Sequence, residues 1–121
     1  DADCLTHAVT DAILGALAAG DIGSHFSDKD LRWKNADSFV FLAEAARLMK
    51  EKNYRVVNLD STISLENPKL RPFIEKMREN LAKDLEIETN CVSVKAKTGE
   101  KVDVVGRGEA IKAEAVVLLE K

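Results

Sequence analysis

Cysteine is scarce: Cys4 and Cys91 are the only two in 121 residues. They have no metal-type spacing, and one pair does not make a disulfide scaffold; the two are either bridged once or, the simpler reading, kept reduced in a cytosol-like compartment. No apolar run approaches transmembrane length and no signal-peptide pattern is present, so no membrane role is expected. No single sign of charge dominates. The net charge is −3 with both signs interspersed, which gives no electrostatic reason to expect nucleic acid. Internal repeats, low-complexity tracts and interdomain linkers are also lacking. What remains, 45% apolar and 32% charged residues, is the composition of one soluble globular domain.

Periodicity supplies the elements. Residues 2–19 read as a helix whose buried stripe is Leu5, Val9, Ala12, Ile13, Ala16 and Leu17, with Gly20 as its stop. A second helix begins at Asp37 or Ser38, both good N-caps, and runs to about Asn53, burying Phe39, Leu42, Ala45, Ala46 and Met49. Residues 54–65 switch to period two, with Val57, Leu59, Ile63 and Leu65 facing inward. Pro72 suits the first turn of a third helix over residues 73–85, burying Phe73, Ile74, Met77, Leu81 and Leu85. Val92, Val94 and Ala96 form another strand. Residues 98–108 are loop-like in part, and residues 111–119 alternate as the last strand. Interleaved helices and strands predict an α/β (α+β) two-layer sandwich, a mixed sheet with helices on one face.

Five segments carry polar groups suited to chemistry. Asp3, His7 and Asp11 recur every fourth residue on one helix face, which continues into Gly15, Ala18 and Ala19. An imidazole beside a carboxylate suits a zinc ligand with an orienting partner, or a solvated helix face. Asp21, Ile22 and Gly23 suit a sugar hydroxyl, or a plain turn. Asn67, Pro68, Lys69 and Leu70 follow a strand, where a lysine and free amides grip a phosphate or a base edge, or simply connect strand to helix. Lys97, Thr98, Gly99 and Glu100 suit a phosphate and a bridging Mg²⁺, or form a polar hairpin. Gly106, Arg107, Gly108 and Glu109 place an arginine for an anion, or make a turn.

In this order the segments resemble the 2-C-methyl-D-erythritol 2,4-cyclodiphosphate synthases of the non-mevalonate isoprenoid pathway. The resemblance runs over essentially the whole chain. It is carried by Asp1-Ala2-Asp3, His7-Ala8-Val9-Thr10-Asp11-Ala12 and Leu14-Gly15-Ala16, then Gly20-Asp21-Ile22-Gly23, His25-Phe26 and Asp28. It continues through Trp33-Lys34, Ala36-Asp37-Ser38, Asn58-Leu59-Asp60, Pro68-Lys69-Leu70, Val94-Lys95-Ala96 and Gly106-Arg107-Gly108-Glu109.

The resemblance implies a metal-dependent phosphorus–oxygen lyase. It converts 4-diphosphocytidyl-2-C-methyl-D-erythritol 2-phosphate to the cyclic diphosphate and releases CMP. His7 matches a zinc ligand, and Glu100 the ligand of Mg²⁺ or Mn²⁺. Thr98 matches a threonine that stabilises the transition state. Asp21, Ile22 and Gly23 match the sugar site, and Phe26, Asp28 and Asp30 a mobile substrate loop. Leu65, Glu66, Asn67, Pro68, Lys69, Leu70 and Arg71 match a cytidine pocket shared across subunits of a homotrimer, with sheets toward the threefold axis. Lys97, Gly99 and Arg107 complete the substrate contacts, and an isoprenoid diphosphate is a further expected occupant of the trimer cavity. The resemblance implies the cytoplasm of a bacterium, or alternatively a plastid if the source is eukaryotic.

The departures are specific. The family's upstream Asp-x-His zinc ligands and a His-Ser pair just before Asp1 are not in this sequence, so the chain reads as a single synthase domain over residues 1–121 lacking its N-terminal strands. Lys97-Thr98-Gly99 stands for a threonine run, Val104 for an aromatic near the axis and Ser27 for a proline. Lys97 either reinforces phosphate binding or points to solvent. Two alternatives follow: a truncated, noncatalytic trimer binding cytidine nucleotide or isoprenoid phosphates, or an unrelated phosphate-handling enzyme on a similar sandwich.

Overall fold

Helices on one face of a mixed three-stranded sheet build the protein. The computed structural model describes every residue except Asp1, Asp28 and Lys34, with Ala2 described by its backbone alone. The elements in chain order are α1 (Ala2–Ala16), α2 (Ile22–His25), α3 (Ser38–Glu51), β1 (Arg55–Ser64), α4 (Ile74–Leu85), β2 (Val92–Lys97), α5 (Asp103–Gly106) and β3 (Lys112–Glu120). Short 3-10 turns over Arg71–Phe73 and Thr89–Cys91 precede α4 and β2. The sheet order is β2-β1-β3, with β1 parallel to β2 and antiparallel to β3.

Leu5, Val9, Ile13 and Leu14 of α1 meet Leu42, Ala45 and Met49 of α3 and Leu81 and Leu85 of α4 over Leu59, Ile63, Val92 and Val94 of the sheet. Each is 7% exposed or less, so each such leucine contributes about 1.5–3 kcal/mol by leaving water.

The three long helices end in one shared way, α4 at Leu85 as expected and α1 earlier than expected. Ala18, Asn53 and Glu86 all take left-handed φ values, 54°, 64° and 57°. Each closes its helix with a pair of backbone bonds: Ala18 N–H to Gly15 O and Ala19 N–H to Leu14 O after α1, with the same pattern after α3 and α4. This double closure satisfies carbonyls that the helix leaves unpaired. It stops α1 at Ala16, short of the Gly20 expected to end it. At the other end of α3, Asp37 accepts from the Phe39 N–H at 3.0 Å, as its N-cap position predicts.

Four inward assignments are corrected. A bulge between Val56 and Asn58 shifts the register of β1, so Val56, Leu59, Ser61 and Ile63 are buried and Val57 is only half-buried. Phe39 and Phe73 are 47% and 55% exposed. Phe39 sits in the first turn of α3 and lines a shallow groove with Leu5, Met77 and Leu81, while Phe73 belongs to the 3-10 turn that precedes α4. Ala16, at the last turn of α1, is exposed as well.

The outer face of the sheet carries Asp60, Lys95, Val116 and Leu118. Lys95 Nζ lies 2.9 Å from Asp60 Oδ2 and holds that carboxyl below its usual range. Val116 and Leu118 are 73% and 58% exposed.

Candidate functional site

β1 and β2 run parallel and end side by side, the Leu65 N–H donating to Lys97 O at 2.9 Å. Ligands of open sheets gather beyond the carboxyl ends of such strands, where the loops diverge. Here the loop after β1 and the end of β2 enclose a groove of about 300 Å³ lined by Leu65, Lys69, Leu70, Arg71, Ala96, Lys97 and Thr98. Leu70 is buried beneath it and the Asn67–Pro68 peptide is cis. Among the described residues Arg32, Arg47, Arg55, Arg78 and Arg107 each have a carboxylate partner, whereas Arg71, Lys69 and Lys97 have none. The groove is therefore lined by uncommitted cations, a setting that favours a polyanion.

The loop after β2 is held tightly. Thr98 Oγ1 accepts from the Glu100 N–H at 3.2 Å, and Glu66 Oε1 accepts from the N–H groups of Gly99 at 3.0 Å and Lys101 at 3.4 Å. Glu100, Lys101 and Asp103 all have left-handed backbones, with φ of 52°, 63° and 65°. Asp103 Oδ1 accepts from Val105 and Gly106 at 2.8 and 3.1 Å, which starts α5 inside a stretch read as loop. The Glu100 carboxylate is exposed and has no partner among the described residues.

A second group forms where α1 meets α2. His7 is exposed, its ring 5.8 Å from that of Phe41. Asp11, one turn on, accepts the Ile22 N–H on Oδ1 at 2.8 Å. Asp21 caps α2: Oδ1 accepts from the Ser24 N–H at 2.9 Å, while Ser24 Oγ accepts from the Asp21 N–H at 3.2 Å. Gly23 is exposed and Ile22 half-buried. His25 Nε2 donates to Ala19 O at 2.5 Å, which ties α2 back to the end of α1.

Of the residues expected in the substrate site, Leu65, Lys69, Leu70, Arg71, Lys97 and Thr98 line one groove. Glu66, Asn67 and Pro68 do not line it, and the side chain of Glu66 turns instead to the neighbouring loop. Ala96, placed on β2 by its alternation but not expected in the site, also lines the groove. Phe26, expected in a substrate-facing loop, is instead 6% exposed and packs against Trp33 and Phe41 at 4.8 Å, because two aromatic neighbours offer it more apolar contact than water does. Asp30 is held by Arg32, whose guanidinium lowers its pKa. Asp28 lies outside the described residues. Arg107 Nε bonds Glu109 at 2.9 Å. Among the described residues no three His, Cys, Asp or Glu groups converge on one point.

The profile of the YgbB family matches residues 1–120. The chain belongs to the YgbB family. The 2-C-methyl-D-erythritol 2,4-cyclodiphosphate synthase of Solibacter usitatus is 58% identical over 121 residues, which are all of this chain and 76% of that one. Among solved structures, the bifunctional IspDF of Campylobacter jejuni matches with a TM-score of 0.90 and 37% identity, over 96% of this chain and 31% of that one. A CDP complex of IspF from Plasmodium falciparum matches with a TM-score of 0.85 and 34% identity, over 96% of this chain and 69% of that one. The family resemblance read from the sequence is thereby borne out, as is the mixed sheet with its helices.

Proposed function

We propose that this YgbB-family chain is a 2-C-methyl-D-erythritol 2,4-cyclodiphosphate synthase acting as a metal-dependent lyase. The observation that carries the reading is the groove beyond β1 and β2, with Lys69, Arg71 and Lys97 unpaired around it. In the reaction an oxygen of the 2-phosphate attacks the β-phosphorus, and the bond from that phosphorus to the α-bridging oxygen breaks, so CMP leaves with that oxygen. Two anions must approach each other, so positioning and charge neutralisation are most of what the protein contributes. Loop 65–71 holds the cytidine end, and Lys69, Arg71 and Lys97 offset the diphosphate charge. The Thr98 hydroxyl, whose oxygen already accepts from Glu100, keeps its hydrogen free for a phosphate oxygen. The CDP complex of the Plasmodium falciparum protein supports a cytidine nucleotide as a ligand. The names of the relatives favour the synthase over the truncated, noncatalytic trimer.

His7 and Glu100 are the exposed side chains that would meet the two expected cations, Zn²⁺ and Mg²⁺ or Mn²⁺. When bound, the metals supply Lewis-acid stabilisation of charge on the phosphates. His7 provides one zinc ligand, and Glu100 is the single carboxylate that Mg²⁺ needs beside phosphate oxygens and waters. Asp21, Ile22 and Gly23 face the methylerythritol portion. A homotrimer packed through the outer sheet face would cover Val116 and Leu118. An isoprenoid diphosphate in its cavity would meet Arg107. The compartment that suits this chemistry is the bacterial cytoplasm or a plastid.

Incubating the intact protein with the diphosphocytidyl substrate, Zn²⁺ and Mg²⁺ should release CMP and cyclic product in equal amounts, with sedimentation equilibrium giving three times the chain mass. CDP binding without CMP release would instead establish the noncatalytic reading. Lys69→Ala should weaken CDP about tenfold by calorimetry, as expected for one lost charge-assisted contact. UDP binding as tightly as CDP would remove the base-reading part of the proposal.

A further inference from the structure

Glu66 lies in the loop assigned to the nucleotide, yet its carboxylate serves the other loop. The residue before it, Leu65, makes the last backbone bond between the β1 and β2 exits, and Glu66 then reaches across to the N–H groups of Gly99 and Lys101. With Thr98 Oγ1 on the Glu100 N–H, three successive amides of the loop end on side-chain oxygens. These amides flank the two side chains on which the proposed chemistry depends, the Thr98 hydroxyl and the Glu100 carboxylate.

The loop needs such support. Glu100, Lys101 and Asp103 are non-glycine residues held at φ of 52°, 63° and 65°, a conformation that costs about 1–2 kcal/mol per residue and persists only where the surroundings enforce it. Several restraints are internal to the segment, among them the Thr98 hydroxyl on the Glu100 N–H, Asp103 Oδ1 on the Val105 N–H, and the close backbone approach of Gly99 to Gly106. Glu66 is the restraint that comes from the loop after β1, and so it ties this loop to the opposite wall of the groove.

We infer that Glu66 is a positioning residue, through which the loop that holds the nucleotide fixes the Thr98 hydroxyl and the Glu100 carboxylate against the diphosphate. The inference rests on the synthase reading above. Its chemistry is specific: the amides need an acceptor oxygen at the reach of a glutamate and do not need a negative charge. A glutamine presents the same oxygen at the same reach. An aspartate keeps the charge but is one methylene short, and alanine has neither.

The test compares Glu66→Gln, Glu66→Asp and Glu66→Ala in the intact protein by amide hydrogen exchange, CDP titration and steady-state turnover. In Glu66→Ala and Glu66→Asp the Gly99 and Lys101 amides should exchange at least about tenfold faster than in the unsubstituted protein, since exchange reports local opening. Their kcat should fall about tenfold while the CDP dissociation constant stays within about threefold. Glu66→Gln should restore exchange and kcat to within about threefold of the unsubstituted protein. Unchanged exchange in both Glu66→Ala and Glu66→Asp would overturn the proposal. So would Glu66→Gln matching Glu66→Ala in turnover, which would make the charge the requirement and Glu66 a ligand. If the unsubstituted protein releases no CMP, the synthase reading fails, and the exchange contrast still decides whether Glu66 holds the loop.

Discussion

Glu100→Gln should lower cyclisation at least about a hundredfold while leaving CDP affinity and zinc content unchanged. The substitution keeps volume and hydrogen-bonding shape, so the left-handed backbone at Glu100 and its N–H bond to Thr98 are undisturbed. What it removes is one negative charge from an exposed side chain that has no partner among the described residues. A carboxylate kept free of the neighbouring Lys97 and Lys101 suits a divalent cation, and Mg²⁺ binds through one or two carboxylates together with substrate phosphates. Lewis-acid stabilisation of phosphoryl transfer is worth several kcal/mol, and a hundredfold loss corresponds to about 2.7 kcal/mol. The readout that isolates the metal is the Mg²⁺ dependence of turnover, which should move to higher concentration, together with weaker Mg²⁺ binding by calorimetry in the presence of CDP. Near-normal turnover of Glu100→Gln at limiting Mg²⁺ would show that the second cation is held elsewhere.

The parts of the fold visible in the sequence are those that local chemistry decides. Asp37 announces the start of α3 because an aspartate before an apolar-periodic run has an unpaired N–H to accept. The alternation of Val92, Val94 and Ala96 places β2 because each inward residue meets the same helical layer. The stop of α4 at Leu85 was visible from the end of its apolar period, but that of α1 was not, since Ala18 occupies a conformation that sequence reading reserves for glycine. Tertiary packing around it outweighs the local cost. The bulge at Val57 is a matter of pairing with β3 and leaves no mark in the alternation of β1 itself.

The same division holds for the site. The cations of the groove lie close in sequence to strand ends, so Lys69, Arg71 and Lys97 could be found from strand position and family resemblance together. Glu66 and Gly99 are 33 residues apart, and the bond between them exists only because β1 and β2 are parallel neighbours. The packing of Phe26 was hidden for a related reason. Its neighbours in sequence are polar, and its true environment, Trp33 and Phe41, is assembled from the next loop and the next helix.

Gly106→Ala should destabilise the fold by about 2–3 kcal/mol and disable the site along with it. Gly106 is buried in α5 and has an ordinary φ, so its need for glycine lies in space, not in conformation. A Cβ there would sit 2.5 Å from the carbonyl carbon, 2.7 Å from the Cα and 2.8 Å from the nitrogen of Lys101. All three are backbone atoms, which cannot swing aside as the end of a long side chain does. Overpacking of this kind typically costs about 1–3 kcal/mol, and relief requires the loop to move away from α5. That movement would pull Lys101 from Glu66 and carry Thr98 and Glu100 off the groove, so the loss of stability and the loss of turnover share one cause. Gly108→Ala is the informative comparison, because its φ of 74° makes alanine strained while nothing lies within 4 Å of the added Cβ. It should cost only about 1 kcal/mol, and turnover should suffer less than in Gly106→Ala. Urea unfolding of both variants measures the difference, and thermal unfolding should place the midpoint of Gly106→Ala below that of Gly108→Ala by several degrees. Equal midpoints for Gly106→Ala and the unsubstituted protein would mean that the loop yields freely, and the tight seating of Thr98 and Glu100 would have to be abandoned.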